Sequence, residues 1–561
     1  MLPGAEILIK CLEKEDVEVI FGYPGGAALE IFDALRKSTQ IRQILNRHEQ
    51  GAAHAANGYA RASGKVGVCL ATSGPGATNL VTGIATAYMD SIPIVFITGQ
   101  VSTSMVGTDA FQEVDITGIS DPITKHNYLV KDARQIPRVV KEAFYIAKSG
   151  RPGPVLIDIL KDVCADTIEW EECTNIELRG YKPKVTGHLG QIKQVSELIQ
   201  EARRPIICAG GGVVSAGASA ELLQLAEAQR IPVCNTLMGI GSIPQNHPLA
   251  LGMLGTYGLA VPNMAVQQCD LFIALGMRFD DRVTGNTDKF APGARIVHID
   301  IDAAEIGKNV RVDVPLVGDL KVVLNQLNTR IQKKKNIQWW QEIDALKEKY
   351  LHEIIPAAAE LSAVEVLTGL NGVLPTNAIV TTDVGQHQIW AAQLLEMKTP
   401  RSFISSGGLG TMGYGIPAAL GAQIARSEHP VIVITGDGSF QMGLPELGTA
   451  LEQELPLKVL LLNNQTLGMV KQLQDNYCES RYTAVHFKKN PDFQSIARAY
   501  GALGLKVTKR EELLEKVKQF VQYPGFVILE VIVSNKDNVY PVVLTGGGLH
   551  EMTGLGKDED E

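Results

Sequence analysis

Residues 431–464 read VIVITGDGSFQMGLPELGTALEQELPLKVLLLNN. An unbroken β-branched run leads into the turn Gly436-Asp437-Gly438, a helical stretch follows, and a second apolar run closes at Asn463-Asn464. Apolar runs without alternation imply strands buried on both faces, and hence a parallel sheet covered by crossover helices. Loops after the carboxyl ends of neighbouring parallel strands meet at one edge, where ligands bind in this architecture. Asp437 and Asn464 are therefore expected to converge. One carboxylate, one amide oxygen and a nearby backbone carbonyl make half an oxygen shell for Mg²⁺, with phosphate oxygens and water supplying the rest. The flanking glycines permit a tight turn and close approach by a diphosphate.

The same rhythm extends through the whole chain. Candidate strands fall at 66–71, 94–98, 155–159, 206–209, 271–275, 296–299, 379–381, 431–435, 459–463 and 527–533, with Ala-rich helical stretches such as 51–62 and 416–425 between them. The expected fold class is α/β, with three domains that each carry a mostly parallel sheet flanked by helices. Two composition breaks set the boundaries. Residues 165–184 are polar and acidic without a sustained period, and 328–349 are charge-rich, with a lysine run at 333–335 beside Trp339 and Trp340, and read as a helical connector. The expected domains are 1–165, 185–335 and 355–545, with a disordered tail at 553–561.

Composition excludes several classes of function. A chain of 561 residues is too long for a single core. A net charge of −9 argues against a nucleic-acid surface, which needs clustered Lys and Arg. There is no basic-then-apolar leader at the amino terminus and no run of about 18 apolar residues, so neither secretion nor a membrane span is expected. The eight cysteines form no Cys-x-x-Cys pair and read as buried free thiols in a reducing cytoplasm.

A second motif lies near the amino terminus. In the stretch ILNRHEQGAAHAANGYARASG, Glu49 stands between a short apolar strand and an Ala-rich helix. A carboxylate there has a commonplace reading as a favourable contact with the helix dipole. RHEQGA together with GDG…NN, however, resembles the paired signature of the thiamine diphosphate enzymes. The resemblance implies that Glu49 hydrogen-bonds the cofactor's pyrimidine and so promotes removal of the weakly acidic thiazolium proton. It also implies that the Thr466 main-chain carbonyl is the third metal ligand beside Asp437 and Asn464. In that family the cofactor sits between the first domain of one subunit and the third domain of another, so a homodimer or homotetramer is expected.

Further motifs narrow the likeness. FGYPGG (21–26), GTDAFQEVD (107–115), RPGPVLIDILKDV (151–163), RFDDRVTGN (278–286), VGQHQIW (384–390), GGLGTMGYGIPAA (407–419) and GMVKQ (468–472) are similar to acetohydroxyacid synthase (acetolactate synthase) catalytic subunits of the biosynthetic, FAD-containing branch. Such enzymes decarboxylate pyruvate and join the two-carbon unit to a second 2-ketoacid, pyruvate or 2-ketobutyrate, in branched-chain amino acid biosynthesis. The likeness implies that Gly25, Gly26, Phe111, Gln112 and Lys161 shape the reacting site. It gives Arg282 the carboxylate of the second ketoacid, a task suited to a fixed, forked charge. Val384, Gly385, Gln386 and His387 would hold the diphosphate, together with Gly436, Gly438, Ser439, Gly468 and Met469. Gly410 and Met412 would contact the aminopyrimidine, and Met442 would support the bent cofactor. The flavin would lie on Gly210, Gly211, Gly212, Thr236, Leu237, Gly276, Arg278, Asp300, Ile301 and Asp319, with Arg151 as an added contact.

The sequence departs from the family at several points. Leu473 stands where most members have Trp, a residue that favours 2-ketobutyrate by packing on its extra methyl group. Thr256-Tyr257 replace a usual Met-His beside the flavin, Ser102 and Ser104 replace frequent Pro and Arg, and Leu160 replaces Pro before Lys161. A small regulatory subunit is expected from the family. Two competing readings stand beside carboligation: a thiamine-dependent oxidase or simple decarboxylase, and a flavin-binding scaffold without catalysis.

Overall fold

The computed structural model describes residues 1–334, 336–350, 354 and 360–555. It contains three six-stranded sheets, each parallel throughout. In spatial order the first consists of Arg42–Leu45, Val19–Gly22, Gly67–Ala71, Ile94–Gln100, Pro154–Leu160 and His126–Val130. The third consists of Phe403–Ile404, Ile379–Thr382, Val431–Gly436, Lys458–Asn463, Val527–Ile532 and Leu503–Val507. Numbered along the chain within each sheet, both follow the order 2-1-3-4-6-5. The middle sheet runs Ala250–Met253, Val233–Asn235, Pro205–Ala209, Leu271–Leu275, Arg295–Asp300 and Val314–Val317, an order of 3-2-1-4-5-6. The α/β expectation is met, and the first and third units share one strand order. Each apolar run predicted as a strand is one, with ends moved by a residue or two.

The central strands are buried on both faces, as their unbroken apolar runs require. Helices Glu49–Ser63 and Gly415–Ala425 are themselves buried almost all round, the condition of a helix enclosed in a core. They lie against each other, joining the first and third units. Their small residues permit this: a Cβ on Gly421 would fall 1.8 Å from the Ala55 carbonyl oxygen. Polar groups are buried around the pair. Tyr414 donates to Asn57 Oδ1 (2.7 Å), Arg61 Nε donates to the same oxygen (2.9 Å), Arg61 also donates to the Ser405 carbonyl (2.8 Å), and it pairs with the buried Asp90.

The ends of the chain differ from expectation. Leu2–Pro3 pairs antiparallel with Thr167–Ile168, so the first unit closes slightly beyond residue 165. Val542–Val543 pairs with Met552–Thr553, and Leu549 enters the core of the middle unit. Thr553 is thus ordered by the apolar anchors Val543 and Met552 rather than belonging to a free tail; residues 556–561 lie outside the described residues. All eight cysteines are free thiols, six of them buried and Cys173 and Cys478 half-buried. Among the described residues, no helix is long and apolar enough to cross a membrane.

Candidate active site

In the third sheet the strand order reverses between Ile379–Thr382 and Val431–Gly436. The connections after the carboxyl ends of the two strands run to opposite sides there and leave the crevice that α/β sheets use for ligands. A cleft opens at this point, the place where ligands bind in α/β sheets. Thirteen of the predicted residues line it: Val384, Gly385, Gln386, His387, Met412, Gly436, Asp437, Gly438, Ser439, Asn464, Thr466, Gly468 and Met469. Trp390, Leu462, Leu467, Val470 and Val533 complete the wall as apolar lining; Trp390 and Val470 fall within the motifs at 384–390 and 468–472, though no role was assigned to them. Gly410 and Met442 do not line the cleft. Gly410 approaches through Val384, and Met442 lies beneath Gly413 with 62% of its surface exposed.

The polar lining is built for an anion and a cation together. Asp437 is buried, and burial pushes its carboxyl up to about 6, against the pull of an Asn490 hydrogen bond of 2.6 Å. Asn490 donates as well to Asn463 Oδ1 (3.1 Å), bracing the paired asparagines; sequence reasoning missed it because no spacing rule links it to the motif. The Asn464 side-chain oxygen accepts from the Thr466 backbone N–H at 3.1 Å, which folds the two together. Burial holds the His387 imidazole down at about 4, so it is neutral at pH 7, and its Nε2 is buried without a hydrogen-bond partner. Helix Gly468–Tyr477 starts tight against the cleft floor, where a Cβ on Gly468 would meet Gln386 Oε1 at 2.0 Å. Gln386 is fixed in turn by Gln472 Oε1 and the Asp537 carbonyl, both at 3.1 Å.

Behind the cleft stands a further carboxylate that the sequence did not single out. Asp383, at the end of strand Ile379–Thr382, accepts from the Gly413 backbone N–H (2.7 Å) and Thr435 Oγ1 (3.0 Å). It ties the Gly410–Met412 loop to the strand end before Asp437. Burial pushes its carboxyl up to about 6.

The first unit assembles a second group of residues at the same edge of its own sheet. Glu49 opens helix Glu49–Ser63, is 9% exposed, and accepts from Asn79 Nδ2 at 3.0 Å. Thr72 packs beneath Gly25 and Gly76, Gly76 faces Glu49, and Gly74 abuts the Gln112 backbone. Gln112 holds a left-handed φ of 60°, a strained conformation of the kind found at ligand clamps. Its neighbour Phe111 is 87% exposed, while Gly26 has no neighbour near its Cβ position. Lys161 begins the short helix Lys161–Ala165, half-buried. None of these residues lines the Asp437 cleft of the same chain.

In the middle unit the predicted flavin residues lie after five adjacent strand ends. Gly210–Gly212 follow Pro205–Ala209, Thr236-Leu237 follow Val233–Asn235, Gly276–Arg278 follow Leu271–Leu275, Asp300-Ile301 close Arg295–Asp300, and Asp319 follows Val314–Val317. Gly210 and Gly276 touch at the strand-order reversal, where a Cβ on Gly210 would meet the Gly276 carbonyl oxygen at 2.2 Å. Asp300 is buried and burial pushes its carboxyl up to about 6, while Asp319 caps helix Leu320–Asn328. Arg151 bridges Ser91 and Glu305, each at 2.8 Å. Arg282 has a side chain 71% exposed, with only a 3.6 Å ion pair to Asp281, and its carbonyl accepts from the Thr256 N–H at 2.7 Å. The Thr256 hydroxyl is buried without a partner, and the Tyr257 hydroxyl reaches Met469 Sδ at 3.6 Å, joining this unit to the cleft. Leu473, one helical turn beyond Met469, is 40% exposed.

Comparison with known proteins agrees with this geometry. Residues 2–119 match the family described as thiamine pyrophosphate enzyme, N-terminal TPP binding domain; 192–327 match its central domain; and 383–531 match its C-terminal TPP binding domain. The chain is 49% identical to a probable acetolactate synthase large subunit of Methanocaldococcus jannaschii, over 98% of this chain and 94% of that one. It is 45% identical to the acetolactate synthase isozyme 3 large subunit of Escherichia coli, over 98% of both. Against an acetolactate synthase of Mycobacterium leprae the identity is 48%, over 98% of this chain and 90% of that one.

Proposed function

The chain belongs to the acetolactate synthase large subunits of the thiamine diphosphate enzymes, and on that premise we propose how its residues divide the work. The activity is thiamine diphosphate-dependent condensation: pyruvate loses CO₂ and its remaining two-carbon unit is joined to a second 2-ketoacid. The single observation that carries our assignment is the cleft at the third sheet's strand-order reversal, lined by Asp437, Asn464, Thr466 and His387.

That cleft fits a metal-bound diphosphate. A buried carboxylate disfavoured as a lone charge, beside an amide oxygen, suits Mg²⁺ shared with phosphate oxygens. The orphaned His387 Nε2 and the cradle between Gly468 and Gln386 suit the phosphate itself. Asp437, Asn464 and the Thr466 carbonyl would hold the metal, and Val384–His387, Gly436, Gly438, Ser439 and Gly468 the diphosphate. Once bound, the cofactor supplies the electron sink that decarboxylation needs. Met412 and Gly410 would support the pyrimidine of the bound cofactor, and the Leu462, Val470 and Val533 side chains exclude water. Glu49 would present its carboxylate to the pyrimidine and favour the protonation state that deprotonates the thiazolium. Arg282, with most of its guanidinium open to solvent, binds the carboxylate of the second ketoacid. Gly26, Phe111, Gln112 and Lys161 enclose the reacting atoms.

Glu49 does not line the Asp437 cleft of its own chain, which supports a complete site built from two copies. The assembly is a homodimer at least. The middle unit's 3-2-1-4-5-6 order is that of dinucleotide-binding folds, and its convergent turns with the unpartnered Thr256 hydroxyl fit FAD. A small regulatory subunit as partner and a cytoplasmic location complete the proposal; the relatives named large subunits and the eight free thiols support them.

Product analysis tests the whole. Pyruvate with thiamine diphosphate and Mg²⁺ yields 2-acetolactate and CO₂, and added 2-ketobutyrate yields 2-aceto-2-hydroxybutyrate. Acetaldehyde or peroxide as the main product would overturn this reading, and Glu49→Gln is expected to abolish most turnover.

A further inference from the structure

The turn that carries Glu49 is held from outside its own unit. Glu446 ends the short turn Leu444–Glu446, which follows helix Asp437–Gly443 of the diphosphate cleft. Its side chain is 2% exposed and meets four donors. Oε1 accepts from the backbone N–H groups of Arg47 (3.0 Å) and His48 (3.1 Å), while Oε2 accepts from Asn46 Nδ2 (2.9 Å) and Thr449 Oγ1 (2.8 Å). Arg47 and His48 immediately precede Glu49, and His48 is the residue that caps its helix. The approach is close enough to dictate the sequence beyond: a Cβ on Gly51 would lie 2.2 Å from Glu446 Oε1. The Arg47 side chain adds a second tether to the same unit, pairing with Glu452 at 2.5 Å.

We propose that Glu446 is a positioning residue for Glu49: an acceptor-only carboxylate, contributed by the diphosphate-binding unit, that fixes the backbone before Glu49 and so sets where the Glu49 carboxylate meets the pyrimidine. The inference rests on the assignment of Glu49 above. Two of the four donors are backbone N–H groups and cannot reverse, and the Asn46 amide presents its NH₂. An ionised carboxylate satisfies all of them with two acceptor oxygens, whereas a glutamine at 446 keeps only one and loses the charge that strengthens the bonds to the turn. A buried donor left unmade costs its full desolvation, so the turn would shift rather than tolerate the mismatch. Burial raises the Glu446 carboxyl, and the four donors oppose that rise.

Glu446→Gln tests this with two readouts. In the cofactor-free protein, amide hydrogen exchange over residues 46–51 is expected to quicken. In the holoenzyme with thiamine diphosphate and Mg²⁺, deuterium exchange at the thiazolium C2 position is expected to slow about 10- to 100-fold, the penalty of a small misplacement of a reacting group. The variant combined with Glu49→Gln should be no slower than Glu49→Gln alone. Thr449→Val removes a donor to the same carboxylate but leaves the Arg47 and His48 contacts, and should exchange like the native protein. Should Glu446→Gln not fold, Gly51→Ala, which displaces Oε1 by contact, carries the same comparison. Native C2 exchange in Glu446→Gln alongside slow exchange in Glu49→Gln would overturn the role of Glu446 alone. Equal slowing in Thr449→Val would reduce it to a general domain anchor and also overturn it. Native exchange in Glu49→Gln would remove the assignment of Glu49 itself.

Discussion

Leu473 sits on the same helix face as Met469, one turn further out, where a Trp would overhang the cleft mouth. One methylene in an apolar pocket is worth about 1–3 kcal/mol. Leu473→Trp should therefore raise the ratio of 2-aceto-2-hydroxybutyrate to acetolactate by about 10-fold or more in competition between the two ketoacids; an unchanged ratio would place selectivity elsewhere. His54 makes a different prediction. It is 1% exposed, lies edge-on to Tyr414, and both its ring nitrogens lack partners. Burial, helped by the charge of Arg61, holds its pKa down at about 3, from 6.5. The unfolded chain thus takes up this proton first on acidification, so the stabilising difference is intact above pH 6.5 and is lost as pH falls towards 3. His54→Leu should flatten the slope of unfolding free energy against pH in that window by about 1.4 kcal/mol per pH unit, measured by urea titration at several pH values. Asp437 and Glu49, to which chemistry is assigned above, were legible in the sequence because each stands in a local motif. Asn490, Asp383 and Glu446 were not, because each acts through hydrogen bonds to residues remote in sequence, and no local spacing encodes them.

At the scale of elements, legibility followed burial. Most internal strands showed as unbroken apolar runs because sheet and helices enclose them on every side, whereas Val19–Gly22 and Val233–Asn235, internal but only four and three residues long, did not. His126–Val130, Ala250–Met253, Val314–Val317, Phe403–Ile404 and Leu503–Val507 are edge strands, paired along one side and half-exposed, and their mixed composition hid them. Domain borders were blurred at both ends for a related reason: two-residue strands such as Leu2–Pro3 and Met552–Thr553 carry too few side chains to show a period. The pairing of helices Glu49–Ser63 and Gly415–Ala425 was foreshadowed only by their alanine content. Their contact leaves no room at Gly421. Gly421→Ala forces the axes apart and should cost about 1–3 kcal/mol, read as a lower urea midpoint with an unchanged slope. An equal or higher midpoint would mean the helices can separate freely.

For the whole molecule, the decisive feature is that the groups around Glu49 and Asp437 stand at the carboxyl edges of two sheets with the same strand order. In the twofold dimer proposed above, each group would face its complement on the other copy. Mixing Glu49→Gln and Asp437→Asn chains, each inactive alone, should restore about a quarter of native activity, since random exchange makes half the dimers mixed and each of those has one intact site. Activity that stays at the level of the separate variants would confine the site to a single chain. The closing segment bears on the same site from another side. The Val543 N–H donates to the Thr256 carbonyl (2.8 Å), Asn286 N–H to the Gly547 carbonyl (2.9 Å), and Lys289 pairs with Glu551 (2.7 Å). Together these contacts clasp the turn that bears Arg282. This strap leaves the ribosome after every other part of the pocket, and domains otherwise fold in the order they emerge. The sheets of the first and third units can therefore be folded while the turn that bears Arg282 is still unclasped, so, on the roles proposed above, the growing polypeptide acquires its cofactor cleft before it acquires its acceptor site.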